Sequence, residues 1–181
     1  MFAFGTVLSL PMQSHALTVV IANGADQIYL RVGRAGGAVS QVAFAVTGAI
    51  AGDGTPIVGT VANNAGAAEP PTFPVACPAN NVRIVARARS AVANTRTASL
   101  RVNSSGGLVS GADTIPFTDF DWTSTDGEIP AGAFNGSPTQ LLYTFQNSRE
   151  VSVCHSLRFL NTTVYPSGTY NGTLTYNLQM P

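Results

Sequence analysis

Apolar and polar residues alternate with a period of two along most of this chain. The alternation runs through residues 28–32, 82–87, 98–102 and 151–159, and again through the final stretch from Thr169 to Met180. Successive side chains of a β-strand point to opposite faces, whereas a helix repeats every 3.6 residues. The pattern therefore predicts many short strands, each with one face in a core and the other in water.

Turn signals separate these stretches, among them Asn23-Gly24, Asn80-Asn81 and Pro166-Ser167-Gly168. Residues 35–51 are rich in alanine, but they contain several glycines and their apolar residues alternate, so strand and loop are predicted there rather than helix. Residues 63–78 are irregular and are predicted to form a long surface loop. Because 181 residues suffice for one domain, the sequence predicts a single all-β, antiparallel β-sandwich.

Charge excludes some functions. Only 10% of the residues are charged, nine arginines balance nine acidic residues, and lysine is absent. Nucleic-acid binding needs clustered positive charge, which this chain does not show, so no nucleic-acid partner is expected. No apolar run reaches the ~18–20 residues that a membrane-spanning helix needs.

The first sixteen residues resemble a secretory signal. Residues 2–10 are apolar, and Ser14 and Ala16 occupy the small positions of a cleavage site. A basic segment before the apolar run is missing, since the first charged residue is Asp26. We therefore interpret residues 1–16 as a targeting remnant and residues 17–181 as the mature domain; the alternative is a buried N-terminal strand or helix.

Two cysteines agree with export from the cytoplasm. A bridge between Cys77 and Cys154 would close a long loop and would suit a periplasmic or extracellular protein. The alternative is two unpaired, buried thiols. Neither a Cys-x-x-Cys pair nor a Cys/His cluster is present, so no metal site is expected.

Residues that could carry out catalysis are few, and we expect neither enzyme activity nor a cofactor. Carboxylates are concentrated at one place in the sequence, Asp119, Asp121, Asp126 and Glu128. This group could bind calcium or act as a carboxylate pair, but we favour a solvated turn. His155 falls in phase with the core positions of its strand, which favours a structural role. A group of aromatic residues could form a sugar-stacking platform or fill the core: Phe117, Phe120, Trp122, Tyr143 and Phe145.

Both ends of the chain resemble bacterial chaperone–usher pilus subunits, closest to the alpha (colonisation-factor) and archaic spore-coat-U-like groups. Residues 166–178, Pro-Ser-Gly-Thr-Tyr-Asn-Gly-Thr-Leu-Thr-Tyr-Asn-Leu, look like the closing strand of such subunits. Residues 17–23, Leu-Thr-Val-Val-Ile-Ala-Asn, are similar to the alternating N-terminal extension of the alpha group. Residues 115–122 are faintly like a strand that these subunits share.

This resemblance implies an immunoglobulin-like sandwich that lacks its last strand and is completed by a strand from a neighbouring subunit. Residues 17–23 would be the donor strand, with Leu17, Val19 and Ile21 as the donated side chains. The acceptor groove would include Tyr170, Leu174, Tyr176 and Leu178. If residues 1–16 are removed, the donor segment is short, and it could instead be a first strand of its own domain.

The resemblance also implies a function. The expected protein is a structural subunit of an extracellular, cell-surface fimbria, exported through the periplasm and contributing to adhesion or biofilm formation. Its partners would be identical or related subunits, a periplasmic chaperone, an outer-membrane usher and a host or surface ligand. The alternative is a self-contained secreted β-sandwich that binds carbohydrate or a surface ligand through exposed aromatic residues.

Overall fold

A computed structural model of the chain describes residues 27–33, 41–62, 77–90, 96–125 and 128–181. The predicted targeting segment 1–16 and donor segment 17–23 lie outside the described residues, as does most of the predicted loop 63–78. Within the described residues, no helix has the length and apolar composition needed to cross a membrane.

Strands dominate the described residues, and a three-residue 3-10 helix, Phe117–Asp119, is the only helical element among them. The strands are β1 (Gln27–Val32), β2 (Gln41–Ala43), β3 (Ile57–Val58), β4 (Thr60–Ala62), β5 (Val82–Arg89), β6 (Thr97–Asn103), β7 (Gly107–Ser110), β8 (Asp113–Pro116), β9 (Phe120–Ser124), β10 (Gly132–Ala133), β11 (Gln140–Gln146), β12 (Arg149–Phe159) and β13 (Thr175–Gln179).

All strand pairs are antiparallel, and two sheets contain most of the strands. The first sheet has the order β1-β5-β12-β9-β10, with β3 also paired to β12, and the second has the order β11-β6-β13. Two smaller sheets pair β2 with β4 and β7 with β8. The predicted all-β, antiparallel architecture is confirmed.

The core lies between the two larger sheets. Ile84 and Val153 from the first sheet pack with Leu100, Phe145 and Leu178 from the second. Each fully buried side chain of this size contributes about 1.5–3 kcal/mol to folding, so the inward-facing rows hold the layers together as a β-sandwich. A second, mostly aromatic cluster fills the other half of the molecule, where the rings of Trp122 and Phe134 lie 4.8 Å apart.

The last strand is shorter than its alternation predicts. The pattern begins at Thr169, but β13 begins at Thr175 because its partner β6 ends at Asn103. Before that point the chain pairs with another element: Asn171 forms an isolated bridge with Val109 of β7. The alternation of Tyr170 and Leu174 thus continues the apolar face without continuing the ladder of β13.

Candidate functional site

The candidate site is the side of the sandwich where β1 and β13 lie next to each other. Each is the outermost strand of its sheet: β1 is bonded to β5, and β13 is bonded to β6. Among the described residues, neither strand has a second partner strand. The outer backbone groups of both strands are thus unpaired with any described strand, and we call this side the open edge.

Apolar side chains line the open edge from both sheets. Ile28 and Leu30 of β1 lie opposite Ala88 and Ala86, which are fully buried, so the two residues face the core. Ile28 is nevertheless 40% exposed, and Leu30 is only partly buried. The residues that line the edge in this way are Ile28, Leu30 and Val32 of β1 with Tyr176, Leu178 and Met180 at the end of the chain.

The predicted acceptor residues divide between two places. Tyr176 and Leu178 belong to β13 and pack against the core beside the open edge. Burial raises the pKa of the Tyr176 hydroxyl above its ordinary value. Tyr170 and Leu174 precede the strand and pack against the aromatic cluster, where the Tyr170 hydroxyl donates to the carbonyl of Pro166 at 2.9 Å. An acceptor surface that used all four residues would extend past the end of the β-ladder.

The outward face of β13 is polar and uncharged. Thr175, Asn177 and Gln179 point away from the core, and the register of β13 with β6 is regular along the whole strand. The opposite edge strand of the same sheet, β11, has a register shift between Leu141 and Tyr143. Bulges and charged residues commonly protect exposed edges from pairing, so β13 is the less protected of the two edges.

The predicted donor residues Leu17, Val19 and Ile21 lie outside the described residues.

A disulfide joins Cys77 and Cys154, whose Cα atoms are 5.6 Å apart. Cys154 belongs to β12 and lies opposite Arg83 of β5, and both residues are buried. The predicted bridge is confirmed, and it ties the segment before β5 to the centre of the first sheet.

His155 lies in the core, as its phase along β12 predicts. It is 1% exposed, its ring is stacked on Trp122 with centroids 5.8 Å apart, and it is hydrogen-bonded to the backbone of Ile129. Nε2 has no hydrogen-bond partner among the described residues. Burial lowers the pKa of the imidazole from 6.5 to about 4, only partly offset by that hydrogen bond. The ring is neutral at neutral pH.

The acidic residues do not converge. The Asp119 carboxylate accepts from the Tyr165 hydroxyl at 2.5 Å, and Asp121 accepts two hydrogen bonds from Arg158. Glu128 accepts from Arg149 at 2.9 Å and from the backbone N–H of Ser152 at 3.0 Å. Asp126 lies outside the described residues. Within the described part of the chain, no group of three potential metal ligands is present.

The aromatic residues fill the core instead of forming a surface platform. Trp122 is 5% exposed, and its indole N–H donates to the carbonyl of Pro130 at 2.9 Å. Phe117, Phe120 and Phe145 are also buried, and Tyr143 is half-buried against the core. A sugar that stacked on Trp122 would therefore require the core to open.

Asn161 is a structural residue that the sequence pattern does not reveal. It follows β12 in the left-handed region, with φ 55°, and its side chain is 1% exposed. The side-chain amide donates to the carbonyl of Ile50 at 2.7 Å and to Asp53 at 2.9 Å, and its oxygen accepts from the backbone N–H of Gly52. These contacts fix the loop between β2 and β3 to the end of the sandwich. Asparagine is common after strands, so the sequence position of Asn161 did not indicate its structural role.

Three comparisons with known proteins gave no match: no family model, no curated protein and no solved structure is similar to this chain.

Proposed function

We propose that this protein is a structural subunit of an extracellular fimbria or pilus and that its copies join by donor-strand exchange. The observation that carries the proposal is the open edge, where β1 and β13 lie side by side, each bonded on one side only among the described residues. A soluble domain that was complete in itself would usually cover such an edge, because unpaired strands promote association.

The strand order supports the proposal. In an immunoglobulin constant domain, one sheet has the order A-B-E-D and the other consists of C, F and G. Within this proposal β1-β5-β12-β9 would take the places of A-B-E-D, and β6 and β13 would take those of C and F. Among the described residues, no strand takes the place of G beside β13. A donated strand would occupy that place.

The donor segment fits the lining of the open edge. Alternate residues of a strand are about 6.6–7 Å apart on one face, so Leu17, Val19 and Ile21 would enter the core layer as a row. There they would meet the apolar side chains of Tyr176 and Leu178. The backbone of the donor would complete the ladder of β13.

Within this proposal the subunits are exported through the periplasm with a chaperone and an outer-membrane usher. The assembled fimbria would contribute to adhesion or biofilm formation at the cell surface. The disulfide agrees with an oxidising compartment.

A denaturing gel of the exported protein, run with and without boiling, tests the proposal. Strand-exchanged copies are expected to give a ladder that collapses to monomer only on heating. A single monomer band in both lanes, from protein that is folded, would show that residues 17–23 complete their own domain or that no exchange occurs.

A matched pair of variants tests the donor residues. Val19→Asp places a charge among the apolar side chains of the groove and should abolish the ladder, because an unpaired buried charge is strongly unfavourable. Val20→Asp changes the same residue type at the adjacent position, whose side chain would face away from the groove in a donated strand, so most of the ladder should remain. An equal ladder from both variants would refute the assignment of the donor face.

A further inference from the structure

Exposed apolar side chains lie at the end of the sandwich beyond the last residue of β12. Val46, Ile50 and Val164 are exposed, and Val164, at 70%, is the most exposed large apolar residue in the described part of the chain. All three lie in loops outside the strands. Single apolar residues on a surface are ordinary, but a group of them indicates a contact surface. We call these three residues the apolar end.

Hydrogen bonds from Asn161 hold the apolar end in place. The side-chain amide of Asn161 donates to the carbonyl of Ile50 at 2.7 Å, and its side-chain oxygen accepts from the backbone N–H of Gly52 at 2.9 Å. Val164 lies directly over Gly52, since a Cβ atom at position 52 would be 2.5 Å from Cγ2 of Val164. The N–H of Ile50 also donates to the carbonyl of Thr47, which follows the third residue of the group. The three apolar side chains therefore project from one ordered region.

The apolar end is also the end at which β13 begins. β12 finishes at Phe159, which pairs with Ile57, shortly after the loop of the apolar end. In the core, Ala98 near the start of β6 shares a cluster with Val151 near the start of β12. Val102 near the end of β6 shares the other cluster with Phe159. β6 therefore runs in the same direction as β12, and β13, which is antiparallel to β6, starts at the apolar end.

The direction of β13 gives a direction to a donated strand. Every strand pair among the described residues is antiparallel, so a strand that continued this pattern beside β13 would run towards the apolar end and leave the groove there. Five residues, 22–26, separate Ile21, the last proposed donor side chain, from Gln27, the first residue of β1. Because six residue steps span at most about 22 Å, β1 of the donating copy must begin close to the apolar end.

From this arrangement we infer that the apolar end is a second contact surface for the donating copy, which packs against it with the side at which its β1 starts. The inference rests on the proposed strand exchange, but it assigns a surface that is separate from the groove. On the donating copy, Tyr29 is an exposed aromatic residue two positions after the start of β1. Aromatic residues are enriched in the buried centres of protein contacts, so Tyr29 is suited to meet the apolar end.

This contact would have a definite role in a strand-exchanged polymer. A donated strand and a five-residue connection join two copies but leave the angle between them free. Packing against the apolar end fixes that angle and removes apolar surface from water, which favours the joined state. Two different surfaces meet in the contact, so it is heterologous and can repeat from copy to copy along a filament.

Cross-linking of polymers that contain two single-cysteine variants tests the contact. The native cysteines are joined in a disulfide, so a short bifunctional maleimide reacts with the added thiols alone. Gln27→Cys assembled with Val164→Cys should give a dimer band that survives boiling. Gln27→Cys assembled with Gln179→Cys, at the other end of β13, is the matched control and should give none. A dimer band in the control, or none with Val164→Cys, would overturn the inference. A missing ladder before boiling would refute strand exchange itself and the inference with it.

Two substitutions at one position test whether the contact is apolar. Val164→Asp should lower the temperature at which the ladder collapses, because a charge at the contact opposes its burial. Val164→Leu keeps an apolar side chain and should retain the collapse temperature of the wild-type ladder. In a Val19→Asp protein, which should not exchange strands, Val164→Asp should leave urea unfolding nearly unchanged, since the side chain is mostly exposed. A ladder of Val164→Asp that collapses at the wild-type temperature would overturn the inference and leave strand exchange intact.

Discussion

The buried histidine makes a quantitative prediction about acid stability. In the unfolded chain His155 should titrate near 6.5, whereas in the folded protein its pKa is lowered to about 4. Above pH 6.5 the ring is neutral in both states and contributes nothing to the pH dependence. As the pH falls from 6.5 towards 4, the unfolded chain binds a proton that the folded protein does not, so stability decreases.

The size of the effect follows from the pKa difference between the two states. One pKa unit corresponds to about 1.36 kcal/mol, so the full penalty is about 3 kcal/mol and is reached below pH 4. At pH 4.5 most of it, about 2.5 kcal/mol, should already be present. This is a large share of the about 5–15 kcal/mol by which a typical domain is stable.

The perturbation that isolates this contribution is His155→Phe. Phenylalanine does not titrate, and its ring can keep the stack on Trp122. Urea unfolding of both proteins at pH 7 and pH 4.5 can be followed by fluorescence, since Trp122 is the only tryptophan in the chain. Carboxylates titrate in both proteins and cancel in the comparison, so wild type should lose about 2.5 kcal/mol more than the variant between the two pH values. Equal losses would refute the assignment of a neutral, buried His155.

Two further predictions concern the elements that hold the sandwich together. Asn161→Ala should lower the free energy of unfolding by about 3 kcal/mol in urea titrations, because several buried hydrogen bonds are lost and alanine disfavours positive φ. Asn161→Gly relieves only the backbone strain and should recover a small part of this loss. A loss below about 1 kcal/mol in Asn161→Ala would contradict the role of the side chain. Thiol labelling of the exported, unreduced protein should fail at both Cys77 and Cys154, and ready labelling of both thiols would exclude the bridge in that protein. The double serine variant should be less stable by up to about 4 kcal/mol, since the bridge closes a loop of 77 residues.

Period-two alternation predicted the strands whose partners run alongside them for their full length. β5 and β12 each have a neighbour on both sides over much of their length. The face of β5 that the alternation places in water is nevertheless buried at Arg83 and Val85, which are 6% and 0% exposed. The predicted last strand was too long, because alternation shows which side chains are buried but not which strand the backbone pairs with. Tyr170 and Leu174 keep the pattern because they pack on the aromatic cluster, although they lie outside β13.

The candidate site was predictable only in part, for a related reason. Tyr176 and Leu178 were predicted to line the acceptor groove from the resemblance of the last strand, and both lie in β13 beside the open edge. Ile28 and Leu30 were assigned to a strand but not to the edge, because nothing local indicates that β1 ends next to β13.

The two edges of the second sheet differ in a way that bears on function. A bulge interrupts the register of β11, as is common where an edge must not pair, whereas β13 is regular and uncharged along its outer side. Random sequence variation would not favour protection of one edge over the other. Selection for pairing along one edge and against pairing along the other would produce such a difference. Exposed apolar side chains occur at both edges, since Ile28 of β1 is 40% exposed and Leu141 of β11 is 49% exposed. The regular register and the uncharged outer side of β13 are the features that strand acceptance would use.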